Sequence, residues 1–271
     1  MSAVVSAVSR RRPSRRGRTA LEWLAPVLAV AAVLAAWQWS GSFLNPILIS
    51  TPAEVAADLG ELFGGGVIYQ PLLESLEEMV IGGAAGLAVG IAIGVLMGRY
   101  AVAEVVLSPF VNFFNATPLV VVIPLVIIWV GIGQTARLLF VFLITLWPVL
   151  LNTLAGIRNA QRGYGEVGVA FGLSEAQLLW KVTLPAAVPY ILAGARVSAG
   201  LAIIGMIVSE MEVSLTGLGY LLITYGNSFL TGKLLAVVLV ASLFGVANVL
   251  VLKWIQARFF PWIAGLAAEQ A

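Results

Sequence analysis

The chain contains no cysteine and no histidine. Disulfides, thiolate or imidazole metal sites and a histidine-based catalytic triad are thereby excluded. Charge is scarce as well: Asp, Glu, Lys and Arg make up 10% of the 271 residues, against about 25% in an ordinary soluble domain. A phosphate-binding loop is also missing. That loop ends in Gly-Lys followed by Ser or Thr, whereas the one Gly-Lys pair, Gly232-Lys233, is followed by Leu234 and has Asn227 where the first glycine belongs.

What is abundant is apolar. Hydrophobic residues make up 61% of the chain, and a soluble protein of this size has no interior large enough to hide them. The solvent for most of the surface is therefore lipid. A transmembrane helix needs about 20 mostly apolar residues, and six stretches meet that length: 21–40, 73–98, 105–131, 136–155, 190–211 and 233–255. The expected fold is all-α, with a transmembrane domain over 21–258 between a basic tail, 1–20, and a short C-terminal tail, 259–271. The third stretch holds Pro109, Pro118 and Pro124, so it is expected to be broken. Membranes tolerate this where neighbours or water satisfy the freed backbone.

The basic residues orient the chain. On a six-span arrangement 13 of the 15 fall on one side, leaving Arg137 and Lys233 on the other. The positive-inside rule places the basic side, and both termini with it, in the cytoplasm. The first apolar run ends in Trp37-Gln38-Trp39 rather than a small-residue cleavage site, so it reads as an uncleaved span. The six arginines before it set topology and suit anionic lipid headgroups.

Between the spans lie two marked segments. Thr51, Pro52 and Glu54 form a helix start with a capping box. Val55, Leu59, Leu62 and Phe63 then share one face, before Gly64-Gly65-Gly66 ends the helix. Such a helix suits either the lipid surface or the external mouth of the bundle. The second segment is the loop 156–189. Here Glu166 is expected in the first turn of a short helix that ends at Gly172, the left-handed position glycine adopts cheaply. Ser174, with Gln177 as its capping-box partner, starts a second short helix that Pro185 bounds. Phe171, Leu178 and Trp180 give this hairpin an apolar docking surface. In the second span, Gly82, Gly86, Gly90, Gly94 and Gly98 repeat every fourth residue, a face for close backbone approach.

The loop resembles the signature of bacterial ABC importer permeases, Glu-Ala-Ala, three residues, Gly, nine residues, Ile, one residue, Leu-Pro. Glu166-Val167-Gly168, Gly172 and Val182-Thr183-Leu184-Pro185 keep that spacing in full. Val167, Gly168 and Val182 depart from it. The segments 124–159, Ser50–Val55, Ser209-Glu210-Met211 and Thr216–Leu221 are similar to the nitrate, sulfonate and taurine subfamily. The resemblance implies a type I importer permease in the bacterial inner membrane, paired with a second copy of itself or a similar chain. It also implies an external solute-binding protein and a separate ATPase dimer, which would bind ATP and Mg in place of any cofactor in this chain. By the same resemblance Glu166, Ala170, Phe171, Gly172, Leu184 and Pro185 couple the permease to that ATPase.

For the pathway, the candidates are the polar groups near the broken span and one carboxylate. Asn112, Asn115 and Thr117 surround Pro118, and uncharged hydrogen-bonding groups beside a helix break suit a small polar solute. Glu210 falls inside the fifth span, where an ionisable group merits a functional reading. Glu212 is two residues on and does not share its face. The expected function is a permease subunit for a small, anionic solute such as a sulfonate, taurine or nitrate, although a carboxylate suits an anion's path poorly. The alternative is a self-sufficient secondary transporter or channel, which commonly carries internal repeats; none is evident. Nothing points to nucleic acid. An enzyme embedded in the membrane would need acid–base groups, and no cluster of carboxylates is evident within the spans.

Overall fold

The computed structural model describes residues 20–41, 43, 45 and 48–261. The arginine-rich tail lies outside the described residues, as does the C-terminal tail from 262 onward. Among the described residues all regular structure is helical. The order is α1 (Ala20–Gly41), α2 (Pro52–Gly64), α3 (Tyr69–Arg99), α4 (Ala101–Ala116), a 3-10 turn (Leu119–Val122), α5 (Ile123–Val130), α6 (Gln134–Ala170) and α7 (Glu175–Leu178). A π turn (Leu179–Thr183), α8 (Leu184–Val213), α9 (Leu218–Asn227) and α10 (Thr231–Phe259) follow. Among the described residues five helical stretches are long and apolar enough to cross a membrane, and α4 with the segment Leu119–Val130, bent by 99° at the break, makes a sixth if the pair is one span.

The glycine repeat decides how the core is assembled. A Cβ on Gly82, Gly86, Gly90 or Gly94 would sit 2.6–2.8 Å from the carbonyl oxygens of Leu138, Phe142, Leu146 or Leu150 of α6, and one on Gly98 would lie 2.6 Å from Ile157 Cβ. The pairing advances together along both chains, so α3 and α6 run parallel at a distance only glycine permits. Side chains at Val141, Thr145, Val149, Thr153 and Ile157 fill the successive notches. This interlocked seam favours fixed packing over sliding. Against it α8 runs antiparallel: Gly194 packs on Val149 and Asn152, and Gly205 on Ile144. Ser198 Oγ donates to the Thr145 carbonyl at 2.6 Å. Together α3, α6 and α8 form one slab, with α10 on its flank through Asn248, which donates to the Ala199 carbonyl at 2.9 Å.

Helix α2 has the expected capping box, with Thr51 N–H donating to Glu54 at 2.8 Å and Glu54 N–H to Thr51 Oγ1 at 3.3 Å. It lies neither loose nor on lipid alone: Val55 and Leu62 are buried in a cluster with Leu218, Leu221, Val237 and Val240, and Leu59 packs against it. Phe63 departs from the expected face. It is 39% exposed and meets Tyr69 edge-on, with ring centroids 5.9 Å apart.

The segment 156–189 differs most from expectation. Helix α6 continues through Glu166 to Ala170, so the short first helix does not exist as a separate element, and the loop shrinks to the turn 171–174. Nothing in 156–170 forces a break: Gly163 meets nothing within 4 Å and Gly168 is covered by the Leu178 side chain. Nor does Pro185 bound a second helix. It lies in the first turn of α8, where a missing N–H is tolerated, and the π turn carries the chain into it, with Leu184 N–H reaching back to the Leu179 carbonyl.

Candidate functional site

Three places carry the residues of interest. The first is the turn between α6 and α8. Gly172 has φ +74°, and Leu173 N–H donates to the Gly168 carbonyl at 3.1 Å. This is the Schellman closure of a helix C-terminus, which requires a left-handed residue at that point. Two residues on, Ser174 and Gln177 form the expected capping box, with Gln177 N–H to Ser174 Oγ at 3.3 Å and Ser174 N–H to Gln177 Oε1 at 3.0 Å. One helix is stopped and the next started within four residues, so the corner is rigid. At its tip Phe171 is 82% exposed and Trp180 70%, both well outside the slab. Ala170 is exposed, Pro185 is exposed and Leu184 half-buried. Glu166 lies one turn before the end of α6. Of the six, Ala170, Phe171 and Gly172 stand at the turn, Glu166 lies just before it in α6, and Leu184 and Pro185 lie further on, in the first turn of α8.

The second is the break between α4 and the segment that follows. Thr117 and Pro118 are extended, with ψ 125° and 112°, between stretches of helix. Thr117 Oγ1 donates to the Phe113 carbonyl at 2.9 Å, so this hydroxyl closes the helix end. Asn112 and Asn115 are exposed, and Val111 is the buried residue of α4. Phe114 stacks on Trp147, centroids 5.6 Å apart.

The third is a buried polar clasp. Glu210 is 0% exposed. Its Oε1 accepts from Ser75 Oγ at 2.5 Å and its Oε2 from Gly219 N–H at 2.8 Å, while Leu218 N–H donates to Ser75 Oγ at 3.0 Å. The first N–H groups of α9 are the orphan donors of a helix N-terminus, and a carboxylate from α8 with a hydroxyl from α3 satisfies them. A Cβ on Gly217 would meet the Glu210 carboxyl carbon, and Gly217 has φ +98°. The segments around Glu210 and around Thr216–Leu221 are therefore two halves of one contact. Glu210 is thus fully enclosed by its neighbours, and Glu212 is exposed. Beside the clasp, Glu78 accepts from Ser209 Oγ at 2.5 Å. Arg137 lies 3.5 Å from Glu78 and 3.9 Å from Glu74, with 8% of its side chain exposed.

This grouping corrects the expectation that no carboxylates cluster within the spans. Glu74 and Glu78 come from α3, Arg137 from α6 and Glu210 from α8, far apart in sequence. The missed signal was plain enough: Glu74, Glu77 and Glu78 all fall inside the expected second span, where ionisable groups are costly. Glu210→Ala is expected to lower the melting temperature of the detergent-solubilised chain, because leaving a buried donor without a partner costs about 1–3 kcal/mol. Glu210→Gln keeps an acceptor oxygen and should lose less. Equal melting of both variants and wild type would show that the clasp holds nothing together.

Residues 86–265 match the family described as the binding-protein-dependent transport system inner membrane component. The chain is 33% identical over 229 residues to the putative aliphatic sulfonates transport permease protein SsuC of Escherichia coli, covering 83% of this chain and 87% of that one. It is 29% identical over 241 residues to the taurine transport system permease protein TauC of the same organism, covering 86% and 87%. Among solved structures it resembles an inward-facing MetNI methionine ABC transporter, with TM-score 0.54 and 22% identity over 70% of this chain and 95% of that one. That likeness concerns the fold. With the family matched over most of its length and the fold in agreement, this chain belongs to the inner-membrane permeases of bacterial ABC importers.

Proposed function

We propose that two copies of this chain enclose a pathway for a small sulfonate-like or taurine-like solute, driven by a separate ATPase that docks at the 166–185 corner. The bent span carries the reading. Irregular backbone at membrane depth is tolerated only against protein or a water-filled cavity, yet the Thr117–Pro118 break and the exposed Asn112 and Asn115 have little of this chain around them. A second copy across that face would give them a polar space to line. Asn115 and the Thr117 turn are the pathway residues of this reading, as neutral groups suited to an anionic or zwitterionic solute. Glu210, engaged in the clasp, presents no negative charge to it, which removes the objection to such a solute.

Orientation follows the charges. Arg99 ends α3, Arg158 and Arg162 lie in the last turns of α6, and Lys181 follows the corner. Lys253 and Arg258 lie in the last turns of α10 and Arg196 reaches Gln256 beside them, whereas Arg137 and Lys233 stand in the first turns of α6 and α10. On the positive-inside rule the corner and both termini face the cytoplasm, and α2 caps the outer end, where the solute-binding protein would deliver. The relatives named for taurine and aliphatic sulfonates support that solute class, which the binding protein would select.

The cysteine-free sequence makes the test direct. Asn115→Cys should react with a membrane-impermeant maleimide and thereby block ATP-dependent uptake of taurine or an alkanesulfonate. Leu243→Cys, midway along α10 and 69% exposed, should stay unlabelled in lipid. Labelling of Leu243→Cys but not Asn115→Cys would sink the pathway. Uptake that proceeds in liposomes without ATP would favour a secondary transporter.

A further inference from the structure

The corner must act on the bent span if it is to control a pathway there, and one ion pair joins the corner to the end of α3, two residues before α4 begins. Glu175, the first residue of α7 and immediately past the Ser174 cap, forms an ion pair with Arg99. Arg99 is the last residue of α3, and Tyr100, in extended conformation, is the single residue between α3 and α4. Among the described residues no other ion pair or side-chain hydrogen bond joins 171–183 to α3 or α4. The space around the pair is open: a cleft of 720 Å³ lies between the α3–α4 corner and Glu175, walled by Leu96, Tyr100, Val102 and Val106. At the end of α3 the turn is thus met by a charge contact beside an open cleft.

Beyond Tyr100, most of α4 is exposed, and it meets the slab through Leu107 and Val111 against Leu146 and Leu150 and through Phe114 on Trp147. Glu104 in its first turn is paired with Arg158 of α6, Val111 is its buried residue and its far end leads into the 99° bend. The slab of α3, α6 and α8 is interlocked by glycines, so the extended residue between α3 and α4 is where the span can pivot. Arg99 is 23% exposed and Glu175 86%. An ion pair so exposed is worth at most about 1 kcal/mol of stability, so a structural role explains little of it.

We propose that Arg99 and Glu175 are positioning residues forming the strut that conveys displacement of the 171–178 turn to the α3–α4 corner and so to the bent span. The inference rests on the reading that the turn receives the ATPase. The test uses the complex copurified from the native host, with spin labels on Val121→Cys of the bent span and Val80→Cys of the slab, and ATP-Mg with orthovanadate as the probe. In the otherwise unaltered chain the label-to-label distance distribution should shift on adding the nucleotide. Arg99→Glu should lose the shift while the complex keeps its ATPase and goes on hydrolysing ATP. Arg99→Glu with Glu175→Arg should regain the shift, a rescue that a merely structural role does not provide. A full shift in Arg99→Glu, or no rescue by the reversed pair, overturns the strut alone. Absence of any nucleotide-dependent shift in the unaltered chain overturns the coupling reading and the strut with it.

Discussion

Gly172→Val should abolish copurification of the partner ATPase, and with it ATP-driven uptake, while the chain still inserts and purifies at wild-type yield. Two facts produce this separation. At φ +74° a side chain with a Cβ is strained by roughly 1–2 kcal/mol, and a β-branched one is a true outlier. Yet a Cβ there meets nothing within 4 Å, so no packing is lost and the cost stays local. The turn relieves the strain by giving up the left-handed residue. The Leu173 to Gly168 closure then opens, and Phe171 and the Ser174 cap no longer hold their relative positions. Gly172→Asn is the informative companion, since asparagine tolerates left-handed backbone; it should keep the ATPase bound. Retention of the ATPase by Gly172→Val would show that the corner's geometry is irrelevant to docking.

Gly86→Val is expected to do the opposite, removing the folded protein rather than its partner. A Cβ on Gly86 would lie 2.6 Å from the Phe142 carbonyl oxygen and run into the Thr145 hydroxyl. The carbonyl is backbone and has nowhere to go. Overpacking in a tight core costs about 1–3 kcal/mol, occasionally more, and here relief requires α3 and α6 to part, which unseats the notches at Gly82 and Gly90 as well. Thr145 also bears on α8, because its carbonyl accepts from Ser198. The expected result is a large fall in melting temperature by size-exclusion analysis in mild detergent, or no monodisperse protein. Gly60→Ala supplies the contrast. That glycine of α2 has nothing within 4 Å of its Cβ position, and exchange should be neutral or stabilising by about 0.4–1 kcal/mol. Unchanged melting of Gly86→Val would mean the parallel seam does not exist in the folded chain.

The two glycines show how differently parts of the molecule could be read in advance. Gly172 was legible because its role is local: a helix end, a left-handed residue and a capping serine two positions on are all nearest-neighbour effects. The glycine repeat announced a close approach, but the partner helix and the parallel sense of the pairing were not in the repeat. Pro185 misled for a related reason. Proline restricts its own neighbourhood, but a π turn ahead of it supplies a local route into α8 that the sequence pattern does not display. A carboxylate suits the first turn of a helix, which is the reason to expect a short helix starting near Glu166, whereas α6 runs on through it to Ala170, with Leu178 packed over Gly168.

Composition and charge by themselves determined that this chain lives in lipid, has about six apolar stretches long enough to span it with most of the basic residues on one side, and lacks the groups for thiol or imidazole chemistry. Those properties are sums and short-range patterns, and they survive any rearrangement of the helices. Only the tertiary structure decided that Glu210 of α8 caps α9 through Ser75 of α3, that Arg137 stands between carboxylates of α3, and that Arg99 reaches Glu175. Each of these joins residues separated by dozens of positions, whose meeting depends on which helices pack, in which direction and at which register. In this chain that register is set by glycines that let two backbones approach, and it becomes visible only once both helices are in place.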